Sequence, residues 1–154
     1  MLSPETRISD FENSVKKYFI DNLETTEGIK LFFGWMEDIP IDSTGEKLLS
    51  WSIISFGYVE LGTVAECPVH IHLFTRNDFE NQKLNLLMDK VNSYIVNEEA
   101  VNGLHTIPYY NTASVPWTVN GGIIPFIRNI YGVESLKDST KMRTILLTMR
   151  WGSK

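Results

Sequence analysis

Two histidines, His70 and His72, are two positions apart in an apolar segment, which is the spacing that places both rings on one face of a strand. Two imidazoles can bind zinc, but a zinc site needs further ligands at suitable spacing. His105 and Cys67 are the candidates for these ligands, and no recognisable spacing connects them to the pair. We therefore interpret the pair as part of a polar strand face and expect neither a metal site nor a cofactor.

The other segments that could carry chemistry are also incomplete. Cys67 precedes a proline at a strand start without a nucleophile motif, and we interpret it as a small buried hydrophobe. Asn120, Gly121 and Gly122 lack the pattern of a phosphate-binding loop and precede a strand, so they predict a hairpin turn. The acidic residues of the segment 37–47 do not have the spacing of a calcium loop. We expect a protein that binds or assembles and is not an enzyme.

Length and composition limit the class of protein. A chain of 154 residues that is 43% hydrophobic can form one core, so we expect a single domain over 1–154 with a flexible tail at 1–7. The net charge of −5 and the lack of a basic cluster argue against sequence-specific DNA binding. The single cysteine suits a reducing compartment. No signal-peptide order and no membrane-spanning apolar run is seen, so we expect a cytoplasmic location without membrane contact.

Hydrophobic periodicity predicts the element order α-β-β-β-α-loop-β-β. The first helix opens at Ser9, which has capping-box spacing to Glu12, and ends at Gly28. The second is capped by Asn77 or Asp78 and runs to about position 96, and its predicted core residues are Leu84, Leu87, Val91 and Ile95. Strands are predicted over 29–36, 48–64, 68–75, 123–131 and 141–151. The segment 48–64 is either one long strand or a bent hairpin arm, with Gly57 and Gly62 as bulge or turn points. The order indicates an α+β fold with an antiparallel or mixed sheet of about five strands and two helices packed on one face.

Three segments offer candidate contact residues. The segment 97–118 holds Tyr109, Tyr110 and Trp117 in a turn-like setting, where they either fold back over the core or anchor a partner. Pro125 interrupts a predicted strand, which indicates a sheet edge or a bulge. The loop 37–47 is the most mobile excursion predicted. Its acidic residues are Glu37, Asp38, Asp42 and Glu46.

The segment 68–95 combines an apolar strand, a polar Thr75-Arg76-Asn77-Asp78 turn and an amphipathic helix. This pattern resembles the central strand-to-helix unit of the tail-terminator and tail-completion (neck) proteins of tailed phages. Those proteins are similar in size, open with an amphipathic helix and finish with strands, and the segment 144–151 is similar to their terminal strand. The segment 97–118 has no counterpart in the resemblance.

The resemblance implies a homohexameric ring in the tail or neck of the virion, assembled in the host cytoplasm. Its partners would be further copies of itself, the tail tube protein and the head-tail connector, and DNA would pass through without sequence-specific binding. We then expect an oligomer interface at Tyr109, Tyr110, Trp117 and Pro125. We expect lumen or rim charge at Glu37, Asp38, Asp42 and Glu46.

Three alternatives remain open at this point. One is a head-completion or neck subunit of the connector with a different ring symmetry. The second is a module that binds a small molecule or peptide at residues 97–118, and an enzyme is the third. A ring protein and a monomeric binder differ in stoichiometry.

Overall fold

The chain folds as two helices packed against a curled, mixed β-sheet. The computed structural model describes residues 7–36 and 38–152, so the predicted tail at 1–7 lies outside the described residues except for its last position. The helices are α1 (Ile8–Phe19), which continues as a π-helical segment over Ile20–Thr26, and α2 (Gln82–Ser93). The strands are β1 (Leu31–Phe33), β2 (Ser50–Phe56), β3 (Ala65–Arg76), β4 (Ile107–Asn111), β5 (Thr118–Ile130), β6 (Glu134–Ser135) and β7 (Thr140–Trp151).

These strands form one sheet in the order β1-β2-β3-β7-β5-β4, and β6 pairs with β7. The β1–β2 pair is parallel and the other pairs are antiparallel. The predicted α+β class with both helices on one face is confirmed. The strand count exceeds the predicted five because β4 and β6 lie in segments that the sequence analysis left as connections.

One face of the sheet carries the main core. Alternate residues of β3 face the helices, and five of them are fully buried: Ala65, Cys67, Val69, Ile71 and Leu73. The first helical segment buries its predicted stripe against this face, with Phe11, Val15, Phe19 and Leu23 fully buried. A second, smaller cluster on the opposite face contains Trp51, Ile53 and Phe74. No helix in the described ranges is long and apolar enough to span a membrane.

The two ends of the first helical segment differ in how well the sequence predicted them. The N-cap position is Arg7 and no side chain caps it, so the predicted capping box of Ser9 and Glu12 is wrong. Ser9 already lies inside the helix. Gly28 ends the segment as predicted, because its φ of +71° suits glycine and its N–H donates to the Glu24 carbonyl at 3.0 Å.

Asp78 caps the second helix as predicted, but it does so from the preceding turn, and the helix itself begins at Gln82. The buried Asp78 carboxylate accepts hydrogen bonds from the backbone N–H groups of Lys83 at 3.1 Å and Leu84 at 2.8 Å. Burial on its own raises the pKa of Asp78, but these bonds and the Thr75 hydroxyl outweigh it and lower the pKa. The ionised carboxylate therefore satisfies N–H groups of the first helical turn.

Replacing Asp78 with alanine should lower the free energy of unfolding by about 1–3 kcal/mol, because buried N–H groups lose their acceptor. The matched control Asp89→Ala, at an exposed position of α2, should change it by less than about 0.5 kcal/mol. The lowered pKa means that the stability contributed by the charge is present above the ordinary value of 3.8. That stability is lost as the pH falls through the folded-state pKa.

Chemical denaturation at neutral pH and in acid measures both effects of Asp78. The difference in unfolding free energy between wild type and Asp78→Ala should become smaller in acid. Equal stability of the Asp78→Ala and Asp89→Ala variants at neutral pH would contradict the capping role.

Three of the four core residues predicted for the second helix, Leu84, Val91 and Ile95, are buried, together with Met88. Leu87 packs against the core but is only half-buried, so the prediction holds for it in part. Leu87 lies at the margin because α2 buries Leu84, Met88 and Val91, and Ile95 follows just after the helix ends.

Three further boundaries differ for local reasons. The strand predicted over 29–36 is shorter in the structure, where only β1 (Leu31–Phe33) forms. The strand predicted over 48–64 ends at Phe56, the last residue of β2. There Gly57 approaches Pro68 so closely that a Cβ would lie 2.5 Å from the proline Cγ. Gly121 and Gly122 lie inside β5 and pair with β4, so the predicted hairpin turn is wrong.

Candidate functional site

His70 and His72 lie on the helix-free face of β3, with their ring centroids 5.8 Å apart in a stacked arrangement. Nδ1 of His72 is 2.8 Å from the Thr144 hydroxyl, a hydrogen bond across to β7. Burial, and then the charge on His70, lower the pKa of His72, so its ring is neutral at neutral pH. Within residues 7–36 and 38–152, no group of three or more His, Cys, Asp or Glu could hold a metal ion. The pair has the contacts of a hydrogen-bonded strand face.

Cys67 lies on the other face of β3, inside the main core, as interpreted from the sequence. Burial raises the pKa of its thiol to about 11. The thiolate is therefore suppressed at neutral pH, and Cys67 is not an activated nucleophile. His105 is exposed and its ring lies near Tyr18, with 6.4 Å between the centroids.

The aromatic residues selected in the segment 97–118 separate into a core residue and a surface pair. Tyr109 is 2% exposed and packs in the core, so its predicted place at an oligomer interface is wrong for the side chain. Successive residues of a strand point to opposite faces, so Tyr110 points away from that core. The ring of Tyr110 is 6.2 Å from that of Trp117, which is 38% exposed.

Tyr110 and Trp117 form one wall of a surface pocket of about 670 Å³, here called the aromatic pocket. Its remaining walls include Lys16, Lys17, Ile20 and Val115. The Lys17 ammonium is 5.8 Å from the centroid of the Tyr110 ring. An apolar floor with lysines at the rim is suited to anchoring an aromatic or aliphatic side chain of a partner.

Two buried side chains of α1 close the outer edge of β4. Ser14 Oγ accepts a hydrogen bond from the N–H of Tyr110 at 2.8 Å. Asp10 Oδ1 accepts from the N–H of Thr112 at 3.1 Å and from its hydroxyl at 2.6 Å. An incoming strand would need these N–H groups, so strand addition at β4 is blocked.

β5, in contrast, has an open edge. Its first half pairs with β4 and its second half with β7, so from Ile124 onward no strand in the described part of the chain covers the side away from β7. The buried Pro125 lies beside a bulge between positions 125 and 127, which confirms the prediction of an edge or a bulge. Its carbonyl accepts a hydrogen bond from Asn102 at 2.7 Å. Ile124, Ile127 and Ile130 are 47%, 44% and 41% exposed.

The acidic loop has a defined turn where the sequence predicted a mobile excursion. Glu37 lies outside the described residues, and Asp38, Asp42 and Glu46 are exposed. The Asp42 carboxylate accepts hydrogen bonds from the N–H groups of Thr44 at 2.8 Å and Glu46 at 3.1 Å. The Thr44 hydroxyl, followed by these N–H groups, lowers the pKa of Asp42. Asp42 therefore shapes the loop as well as carrying charge.

A larger groove of about 840 Å³, here called the sheet-face groove, lies between this loop and the segment 134–142. Its lining includes the clustered side chains Trp51 and Phe74. Trp35, Ile41 and Leu136 also line it and are 68%, 63% and 41% exposed. This groove forms where two segments distant in the sequence meet, so no local sequence pattern indicates it.

The comparisons with known proteins do not assign a family. No protein-family model matches the chain, and a search of curated proteins found no match. The aromatic pocket, the open edge of β5 and the sheet-face groove are thus the features from which function is inferred.

Phe79 is the most exposed aromatic residue in the described part of the chain, and it was not among the residues selected from the sequence. It is 89% exposed and lies between β3 and α2. A signal was present, because this single apolar residue is flanked by Asn77, Asp78, Glu80 and Asn81. The capping of α2 explains why an aspartate is present at position 78, but it does not explain why an exposed aromatic ring is present at position 79.

Proposed function

We propose that the chain is a structural ring subunit of a tailed phage, similar to the tail terminators. In this role it caps the tail tube, joins it to the head-tail connector and lets DNA pass. The observation that carries the proposal is the presence of two unlike contact surfaces on one subunit, the open edge of β5 and the aromatic pocket. The two-helix α+β fold is compatible with this role but does not decide it, because one fold supports many functions.

Two unlike surfaces are what a closed ring requires. In a heterologous interface one patch of a subunit meets a different patch of its neighbour, and the ring closes if the rotation allows it. The β5 edge can add a strand through backbone hydrogen bonds. The aromatic pocket can supply an anchor of large, rigid side chains. Since α1 seals β4, the second half of β5 is the better site for strand addition.

The charge of the chain suits a passage for DNA. The net charge is −5, and the exposed carboxylates of Asp38, Asp42 and Glu46 are clustered in one loop. We place this loop, with Glu37, at the lumen or rim of the ring, where its charge would repel DNA phosphates. The tail tube protein and the connector are the expected partners, and the tail or neck of the virion is the expected location.

A second candidate function is a small binding module. The observation that favours it is that Tyr110, Val115 and Trp117, all from the segment 97–118, line the aromatic pocket. In this alternative the pocket holds a small molecule or peptide and the protein acts as a monomer. A neck subunit of the connector would instead form a ring with a different number of copies.

The native mass of the purified protein separates these functions. A terminator-like ring should have six times the subunit mass of 17.7 kDa, and a neck ring another integer multiple. Ile127→Lys should shift the protein towards monomer, because a charge at a strand edge opposes strand addition. Leu86→Lys is the matched control, since Leu86 is 63% exposed on α2. A wild-type monomer at all concentrations would contradict the ring and favour the binding module.

A further inference from the structure

We propose that the turn 77–81 of one copy inserts Phe79 into the aromatic pocket of the next copy, with Glu80 beside Lys16. This inference rests on the proposed function, because it needs a chain that self-assembles. It specifies which parts of two neighbouring copies meet. The occupant of the pocket is then a second copy of this chain.

The turn holds Phe79 in a defined position. The Lys141 ammonium donates hydrogen bonds to the Phe79 carbonyl at 3.0 Å and to Asn81 Oδ1 at 2.7 Å. Asn77 and Asn81 flank the turn with φ of +56° and +60°, in the left-handed region that few non-glycine residues adopt. The Asp78 carboxylate fixes the same turn to the start of α2. A turn anchored in this way keeps the ring in solvent, 89% exposed.

The aromatic pocket matches an aromatic side chain. Tyr110 and Trp117 present two rings 6.2 Å apart and inclined at 47°. Ile20 and Val115 add aliphatic surface, and Val115 is 91% exposed at the mouth. Aromatic rings favour offset or edge contacts with one another, and burial of a ring removes a large apolar area from water. Insertion of Phe79 would cover exposed apolar groups on both copies.

The pocket is lined by two lysines and one carboxylate, that of Asp21, whereas the turn carries the carboxylates of Asp78 and Glu80. Lys16 and Lys17 line the pocket, and Lys17 already pairs with Asp21 at 2.7 Å. In the part of the chain that the structure describes, Lys16 pairs with no carboxylate and Glu80 pairs with no lysine, arginine or histidine. Glu80 is exposed and directly follows Phe79. Docking of the ring therefore brings a carboxylate towards the Lys16 ammonium, which lies 5.6 Å from the centroid of the Phe33 ring and keeps its charge there. A carboxylate beside this charge favours this partner over an uncharged or basic one.

The positions of the turn and the pocket favour contact between copies. The turn follows Arg76, the last residue of β3. The aromatic pocket is lined by α1, the start of the π-helical segment and residues 110–117, and none of its lining comes from the turn. A protruding residue and a pocket on different parts of one surface produce a head-to-tail contact, which forms a ring where the rotation between copies closes.

Disulfide trapping tests this contact in the full-length chain. Phe79→Cys and Val115→Cys chains are co-expressed and mildly oxidised, and the native Cys67 is buried and does not compete. We expect a mixed disulfide between the two chains. Leu86→Cys co-expressed with Val115→Cys is the matched control and should give much less cross-linked product.

A second test of this contact measures how strongly substituted chains self-associate. Phe79→Ala should weaken it at least about tenfold, as expected for an aromatic anchor. Glu80→Lys and Lys16→Glu should each weaken it, and the double variant should restore it. Leu86→Ala should leave it unchanged.

The outcomes separate this inference from the proposed function. If wild type assembles, but Phe79→Ala assembles equally well and no mixed disulfide forms, the contact is wrong and the ring proposal stands. A wild-type chain that stays monomeric contradicts both.

Discussion

Replacing Trp151 with alanine is expected to lower the free energy of unfolding by about 3–5 kcal/mol. Trp151 is 1% exposed and its ring stacks on Phe11 with 3.8 Å between centroids, at the point where α1 meets β7. Its removal leaves a cavity that this part of the core cannot easily close. Domains of this size are stable by about 5–15 kcal/mol, so the loss is a large share of the total.

Two control variants isolate the cause of the effect at Trp151. Trp35→Ala should change the unfolding free energy by less than about 0.5 kcal/mol, because Trp35 is 68% exposed. Trp151→Phe should retain much of the stability, since the indole N–H of Trp151 has no hydrogen-bond acceptor among the residues described. Urea denaturation followed by circular dichroism measures the unfolding free energy of all three variants. Equal losses from Trp151→Ala and Trp35→Ala would contradict the proposed core.

The double variant Tyr110→Ala with Trp117→Ala should weaken each contact between subunits by at least about 2 kcal/mol, or about 30-fold in the dissociation constant. These two rings form the wall of the aromatic pocket, so their loss removes the surface that would anchor a neighbour. Folding should be affected less, because Tyr110 is only half-buried and Trp117 is 38% exposed.

Analytical ultracentrifugation over a range of concentrations gives the effect on assembly, and thermal unfolding gives the effect on folding. Tyr58→Ala is the matched control, since Tyr58 is 73% exposed between β2 and β3 and lies outside the pocket lining. A double variant that assembles as well as wild type would contradict the role of the pocket. So would a loss of assembly that is explained by unfolding alone.

The features that sequence predicted well depend on local periodicity. The stripe of α1 and the alternation along β3 and β7 follow directly from which side chains avoid water. Gly28 was also predictable, because a left-handed residue at the end of a helix favours glycine. These signals determine which face of an element is buried. They do not determine which strand lies next to which.

The features that sequence missed depend on contacts between distant segments. Tyr109 and Tyr110 are adjacent aromatics, and only the pairing of β4 with β5 decides which one enters the core. The aromatic pocket forms only where α1 packs beside the connection after β4, and no sequence motif indicates this contact. The late start of α2 depends on the Asp78 carboxylate bonding over a turn. Which strands lie at the edges of the sheet is likewise known only when all the strand pairings are known.

Imaging of the assembled wild-type protein by electron microscopy tests the central claim most directly. We expect closed rings of about six subunits, the number that the similarity to tail terminators implies for a heterologous contact. The boundary between subunits should include the open edge of β5 or the pocket wall formed by Tyr110 and Trp117. A protein that stays monomeric at high concentration and in the virion would contradict the claim, as would a ring whose contacts omit both surfaces.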